Sequence, residues 1–133
     1  MAWPAIGPIS GIYGSQRILN GEPRSPHRGL DVAAPAGTPV GAMASGVVSL
    51  AEPDMYYTGG TVMIDHGHGL QSIYVHLQDV LVEVGQEVAQ GATLGTVGAT
   101  GRATGPHLHW GVYWFDRVLD PALLVGPMPE PLG

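Results

Sequence analysis

Cysteine is absent from the 133 residues. Disulfides and thiolate metal ligands are therefore excluded, thiols say nothing about the redox compartment, and any metal must be held by His, Asp or Glu. Lysine is absent too. The five basic residues are all arginines (Arg17, Arg24, Arg28, Arg102 and Arg117), and the formal net charge is −6. Phosphate backbones are bound by basic stripes, so a nucleic-acid partner is not expected. An anionic membrane surface is disfavoured for the same reason. No apolar run approaches the ~20 residues of a membrane-spanning helix. The opening Met1-Ala2-Trp3-Pro4 has neither a charged n-region nor an apolar h-region, so no secretory leader is expected there.

Amphipathic helical periodicity is also lacking. What the chain has instead is Gly (21 residues) and Pro (12), together about a quarter of the sequence. With 44% hydrophobic and only 12% charged residues, this composition describes a folded domain of short strands and tight turns rather than a disordered chain. The length suits one domain, expected over residues 1–126, with the Pro-rich 127–133 a disordered tail. Short strands at roughly regular spacing predict an all-β fold, with antiparallel β-sheets forming a sandwich or open-barrel core.

Residues 1–25 read as irregular. Gly46-Val47-Val48-Ser49-Leu50 reads as a strand broken at Glu52-Pro53-Asp54. Thr61–Asp65 reads as a strand that turns through His66-Gly67-His68-Gly69 into a second strand, Leu70–Leu77. Residues 85–98 are punctuated by Gly85, Gly91, Gly95 and Gly98. Residues 107–115 form a last strong strand. Gly37-Thr38-Pro39-Val40 and Gly85-Gln86-Glu87-Val88 share a Gly-x-x-Val frame, the mark of an old duplication or of two similar hairpins.

The chemistry-bearing residues are the histidines: His27, His66, His68, His76, His107 and His109. In a strand, residues two apart share a face. His107 and His109 therefore lie side by side with Cα atoms about 6.7 Å apart, opposite an apolar face of Leu108, Trp110, Val112 and Trp114. By the same rule Ile73, Val75 and Leu77 face the core, while Ser72, Tyr74 and His76 face away from it. If the two strands are neighbours, His76, His107 and His109 converge on one groove. His27-Arg28-Gly29-Leu30-Asp31 adds a His-x-x-x-Asp pair. Pro26 and Gly29 argue against a helix there, so a shared ion requires a bend at Gly29. Two imidazoles and a carboxylate with an open fourth position make a common catalytic zinc shell, in which a bound water ionises near pH 7. No His-Glu-x-x-His is present, so a proton shuttle would fall to His76 or His107.

The stretches His27–Val40, Tyr74-Val75-His76-Leu77 and Gly105-Pro106-His107-Leu108-His109 together resemble the lysostaphin and LytM-type zinc endopeptidases, peptidase family M23. The resemblance runs from about Gly11 to Pro121, with Gly85-Gln86-Glu87-Val88 and Gly91 also in place. It implies Zn2+ as cofactor, with His27, Asp31 and His109 as its ligands and His76 and His107 as the catalytic pair. It implies an all-β core with a zinc groove above it. It also implies an endopeptidase acting on the stem or cross-link peptides of bacterial peptidoglycan in the periplasm or outside the cell, with a D,D-bond as the first expectation. The family also contains silent relatives that have lost ligands and regulate other wall enzymes. The complete set here points instead to an active enzyme. His66 and His68 read as turn or groove-wall residues, and Arg24, Arg28 and Arg102 as candidates to meet stem-peptide carboxylates. Two other readings weigh less. A biotinyl- or lipoyl-type carrier would need a lysine. A metal-storage site would have no use for His76 and His107 beside an open position.

Overall fold

The computed structural model describes residues 3–5, 9–11, 16–19, 22–26, 30–55, 59–98, 106–115, 117–119 and 121. His27, Arg28, Arg102, Gly105 and the tail at 127–133 lie outside the described residues.

The described elements are twelve strands: β1 (Ile9–Gly11), β2 (Gln16–Leu19), β3 (Glu22–Pro26), β4 (Leu30–Ala33), β5 (Pro39–Gly41), β6 (Gly46–Met55), β7 (Gly59–Gly67), β8 (Leu70–Val80), β9 (Glu87–Val88), β10 (Thr93–Val97), β11 (His107–Trp114) and β12 (Arg117–Leu119). Among the described residues there is no α-helix, and every strand pairing is antiparallel. Ten strands form one sheet with the order β1-β4-β11-β8-β7-β6-β9; β10 joins β5 and β8, and β12 joins β11. β2 and β3 form a separate pair. The all-β expectation holds.

One apolar cluster takes Leu30 and Val32 from β4, Val40 from β5, Val48 from β6, and Val62 and Ile64 from β7. It continues through Leu77 from β8, Leu94 and Val97 from β10, and Leu108, Trp110 and Val112 from β11. Side chains from strands so far apart in the sheet order meet only if the sheet curls and its inner face closes on itself. Trp110 is fully buried at this centre and packs edge-to-face on Trp3, with ring centroids 5.8 Å apart.

Three expectations need correction. The region 1–25, read as irregular, contributes β1, β2 and β3. β6 does not stop at Pro53 but runs to Met55, with a register shift between Glu52 and Met55 that accommodates the missing amide. Trp114 does not join the core: it is the last residue of β11, still paired with Leu70 and Arg117, and is 47% exposed against the tilted ring of Phe115.

The turn between β7 and β8 is where the sequence placed it. His68 (φ 53°) and Gly69 (φ 80°) are both left-handed, as a two-residue hairpin loop matched to strand twist requires.

Candidate active site

β8 carries the largest departure from simple alternation. Val62 pairs with Tyr74, and Gly60 pairs with Leu77, so two steps on β7 answer three on β8. The extra residue is a β-bulge at Val75–His76, and His76 sits there with φ 64°. The bulge reverses which parity faces inward. Before it Ser72 and Tyr74 point into the core, both fully buried; after it Leu77 does. His76 is turned out on the opposite side. The expectation that Tyr74 shares the face of His76 is therefore wrong, whereas the outward placement of His76 is right for a different reason. A left-handed φ at a non-glycine residue costs of order 1–3 kcal/mol, and such strain gathers at functional sites.

Tyr74 ends a buried polar chain. The Met43 amide donates to its hydroxyl at 3.0 Å, and that oxygen lies 2.8 Å from Ser72 Oγ. Ser72 Oγ meets His66 Nε2 at 2.8 Å, and His66 Nδ1 donates to the Ser45 carbonyl at 2.8 Å. Burial pushes the Tyr74 phenol up to about 12, against the opposing pull of its bonds to Ser72 and Met43. His66 is thus anchored at the rim of the core.

β11 behaves as its alternation predicts. Leu108, Trp110 and Val112 are fully buried, and His107 and His109 are half-buried on the outer face. Its two neighbours complete the site. On one side β4 sets Asp31 directly opposite His109, and His109 Nδ1 donates to Asp31 Oδ1 at 2.7 Å. The two side chains are 23% and 12% exposed. On the other side β8 sets Val75 opposite His109, and the bulge swings His76 over to His107, ring centroids 4.9 Å apart and planes at 51°. Asp31, His76, His107 and His109 are thereby brought to one outer surface across three adjacent strands.

A ring nitrogen and a carboxylate oxygen at 2.7 Å present two donors to one cation once the proton between them leaves. Among the described residues no cluster of three His, Cys, Asp or Glu side chains could hold a metal ion. The third candidate, His27, lies three residues before β4 and outside the description. His68 stays at the hairpin turn and Arg24 on β3. The sequence reading missed Gly98 as a contact between the two histidine-bearing strands. Its only signal was its place at the end of the glycine-punctuated run.

The family model for peptidase family M23 matches residues 25–121. The peptidoglycan DD-endopeptidase ShyC of Vibrio cholerae is 48% identical over 84 residues, covering 63% of this chain and 19% of that protein. A putative M23 peptidase of Pseudomonas aeruginosa superposes with a TM-score of 0.80 at 45% identity, over 93% of this chain and 49% of that one. A zinc-containing peptidase from Vibrio cholerae superposes at 0.83 with 32% identity, over 96% of this chain and 40% of that one. This chain thus spans about a fifth of the length of the curated relative, and no more than half of either solved chain. The match over 25–121, with Asp31, His76, His107 and His109 gathered on β4, β8 and β11, makes this chain a member of peptidase family M23.

Proposed function

We propose that the chain is a zinc-dependent endopeptidase that hydrolyses peptide cross-links of bacterial peptidoglycan, most specifically a D,D-endopeptidase, in the periplasm or outside the cell. The observation that carries this reading is the meeting of two side-chain pairs, Asp31–His109 and His76–His107, on the outer faces of adjacent strands. The name of the relative ShyC supports the substrate and the D,D-bond, and the zinc-containing Vibrio structure supports the metal.

In this reading Asp31 and His109 hold zinc together with His27. A nitrogen-and-oxygen donor set in a chain without thiols suits that ion. Zinc, when bound, supplies a Lewis acid and a water that ionises near neutral pH. His76 and His107 serve the reaction. One imidazole takes the proton of the attacking water and returns it to the leaving amine; the other donates a hydrogen bond to the oxygen of the scissile carbonyl as charge builds there. Their 4.9 Å ring separation leaves each within reach of a different atom of one amide. The bulge holds His76 in that relation without help from a flexible loop.

The test is zinc content by mass spectrometry alongside turnover of a cross-linked stem-peptide dimer. His109→Ala and Asp31→Ala should lose both zinc and turnover. His76→Ala and His107→Ala should keep zinc and fold while turnover falls by about 100-fold or more, the usual scale of acid–base assistance. Near-normal turnover in either of the last two variants would remove the role assigned to that histidine.

A further inference from the structure

We propose that Gly98 is a positioning residue, the spacer that fixes the gap between the His76 and His107 imidazoles; this rests on the hydrolytic reading above. β8 changes partner at the site. From Leu70 to Val75 it pairs with β11, and from Leu77 to Val80 it pairs with β10. His76 is the residue at the handover. β10 ends at Val97, and the next residue, Gly98, bridges to His107, whose amide donates to the Gly98 carbonyl at 3.2 Å. On its other flank Gly98 abuts β8. A Cβ there would lie 2.7 Å from the Gln78 nitrogen, 2.8 Å from its Cβ and 2.9 Å from its Cα. Gly98 is thus wedged between the first residue of β11 and a residue two beyond His76. Its φ is not left-handed, so lack of space, not backbone conformation, is what demands glycine.

Ordinary Cβ contacts begin near 3.4 Å. Any side chain at 98 must therefore push β8 and β11 apart by several tenths of an ångström. The displaced backbone carries one imidazole on each side of the gap. Reacting groups misplaced by about 1 Å can lose about 100-fold in rate. Gly95 is the natural control. A Cβ there would run into the Asp79 carbonyl oxygen, also on β8, but Gly95 pairs with Val80 and Val40 and not with β11. Both substitutions crowd β8; only the one at 98 also bears on the strand of His107.

The experiment compares Gly98→Ala and Gly95→Ala, both zinc-loaded, for Tm, kcat and KM on a cross-linked stem-peptide dimer, with ring nitrogen NMR shifts of the histidines as an activity-free readout. Gly98→Ala should lower kcat about 10- to 100-fold, leave KM within about twofold, keep zinc and shift the His76 and His107 ring signals. Gly95→Ala should lose at least as much Tm, with kcat within about threefold and the ring signals in place. Wild-type kcat in Gly98→Ala, or kcat losses that merely follow Tm in both variants, would overturn the proposal. If Gly98→Ala does not fold, Gln78→Gly decides, because it loosens the same contact from the exposed side. A several-fold fall in kcat supports the spacer, and an unchanged kcat overturns it. A wild-type protein that cuts no peptide sinks the hydrolytic reading instead, while the ring signals still judge the spacing.

Discussion

Replacing Tyr74 with phenylalanine removes one oxygen from the centre of the molecule and little else. The ring keeps its place in the core, fully buried beside Val62 and Trp110. The loss falls on two partners. The Met43 amide, in a fully buried residue, loses its acceptor; Ser72 Oγ, also buried, keeps only His66. A buried donor left unsatisfied costs about 1–3 kcal/mol, and a weakened hydroxyl adds a smaller amount. Tyr74→Phe should therefore cost about 2–4 kcal/mol, or roughly 6–16 °C in Tm for a domain of this size. The assay is urea unfolding at neutral pH, where the midpoint should fall with the slope unchanged. An alkaline series adds a second reading. The folded phenol titrates at about 12 and an unfolded one near 10. The fold favours the neutral form, so this stabilisation is complete below pH 10 and is lost as pH rises from 10 to 12. Two pKa units correspond to about 3 kcal/mol. Wild type should lose that stability across the window, and Tyr74→Phe should lack this loss. A variant within about 0.5 kcal/mol of wild type at pH 7, with the same alkaline profile, would refute the polar chain as described.

The strained backbone at His76 predicts an inversion of the usual order: His76→Gly should be more stable than His76→Ala, by about 1 kcal/mol, in urea unfolding of both variants. Gly60→Ala would drive a Cβ into the Leu77 carbonyl oxygen just past the bulge, and should cost several kcal/mol by thermal unfolding. Gly69→Ala combines a φ of 80° with a Cβ 2.6 Å from the Phe115 ring, and should lower Tm and free the β7–β8 turn to faster amide exchange. Zinc titration followed by calorimetry should show saturable binding to the wild type and little or none to Asp31→Ala.

How legible the site was depends on the strand. β11 alternates strictly, apolar residues at 108, 110 and 112 against histidines at 107 and 109, and its facing could be read without coordinates. β8 could not be read in the same way. Residues 72–77 offer plausible inward residues at both parities, and a bulge that inserts one residue leaves no mark in composition. The outcome was a correct direction for His76 and an incorrect one for Ser72 and Tyr74. Asp31 is a third case. Its partnership with His109 is a matter of β4–β11 register, 78 residues apart in the chain, which no local pattern encodes. The shared Gly-x-x-Val frame did have local meaning. Gly37 and Gly85 turn at φ of 91° and 90°, and each frame ends in a buried valine, Val40 and Val88. Pro53 misled because proline ends most strands but is tolerated at an irregular register.

The most direct test of the central claim is digestion of purified, cross-linked peptidoglycan, with the fragments read by mass spectrometry in the presence and absence of a zinc chelator. The account predicts chelator-sensitive loss of cross-linked dimers, restored by added zinc, with new termini at a D,D-bond. Intact cross-links after treatment with a folded, zinc-loaded protein would contradict it.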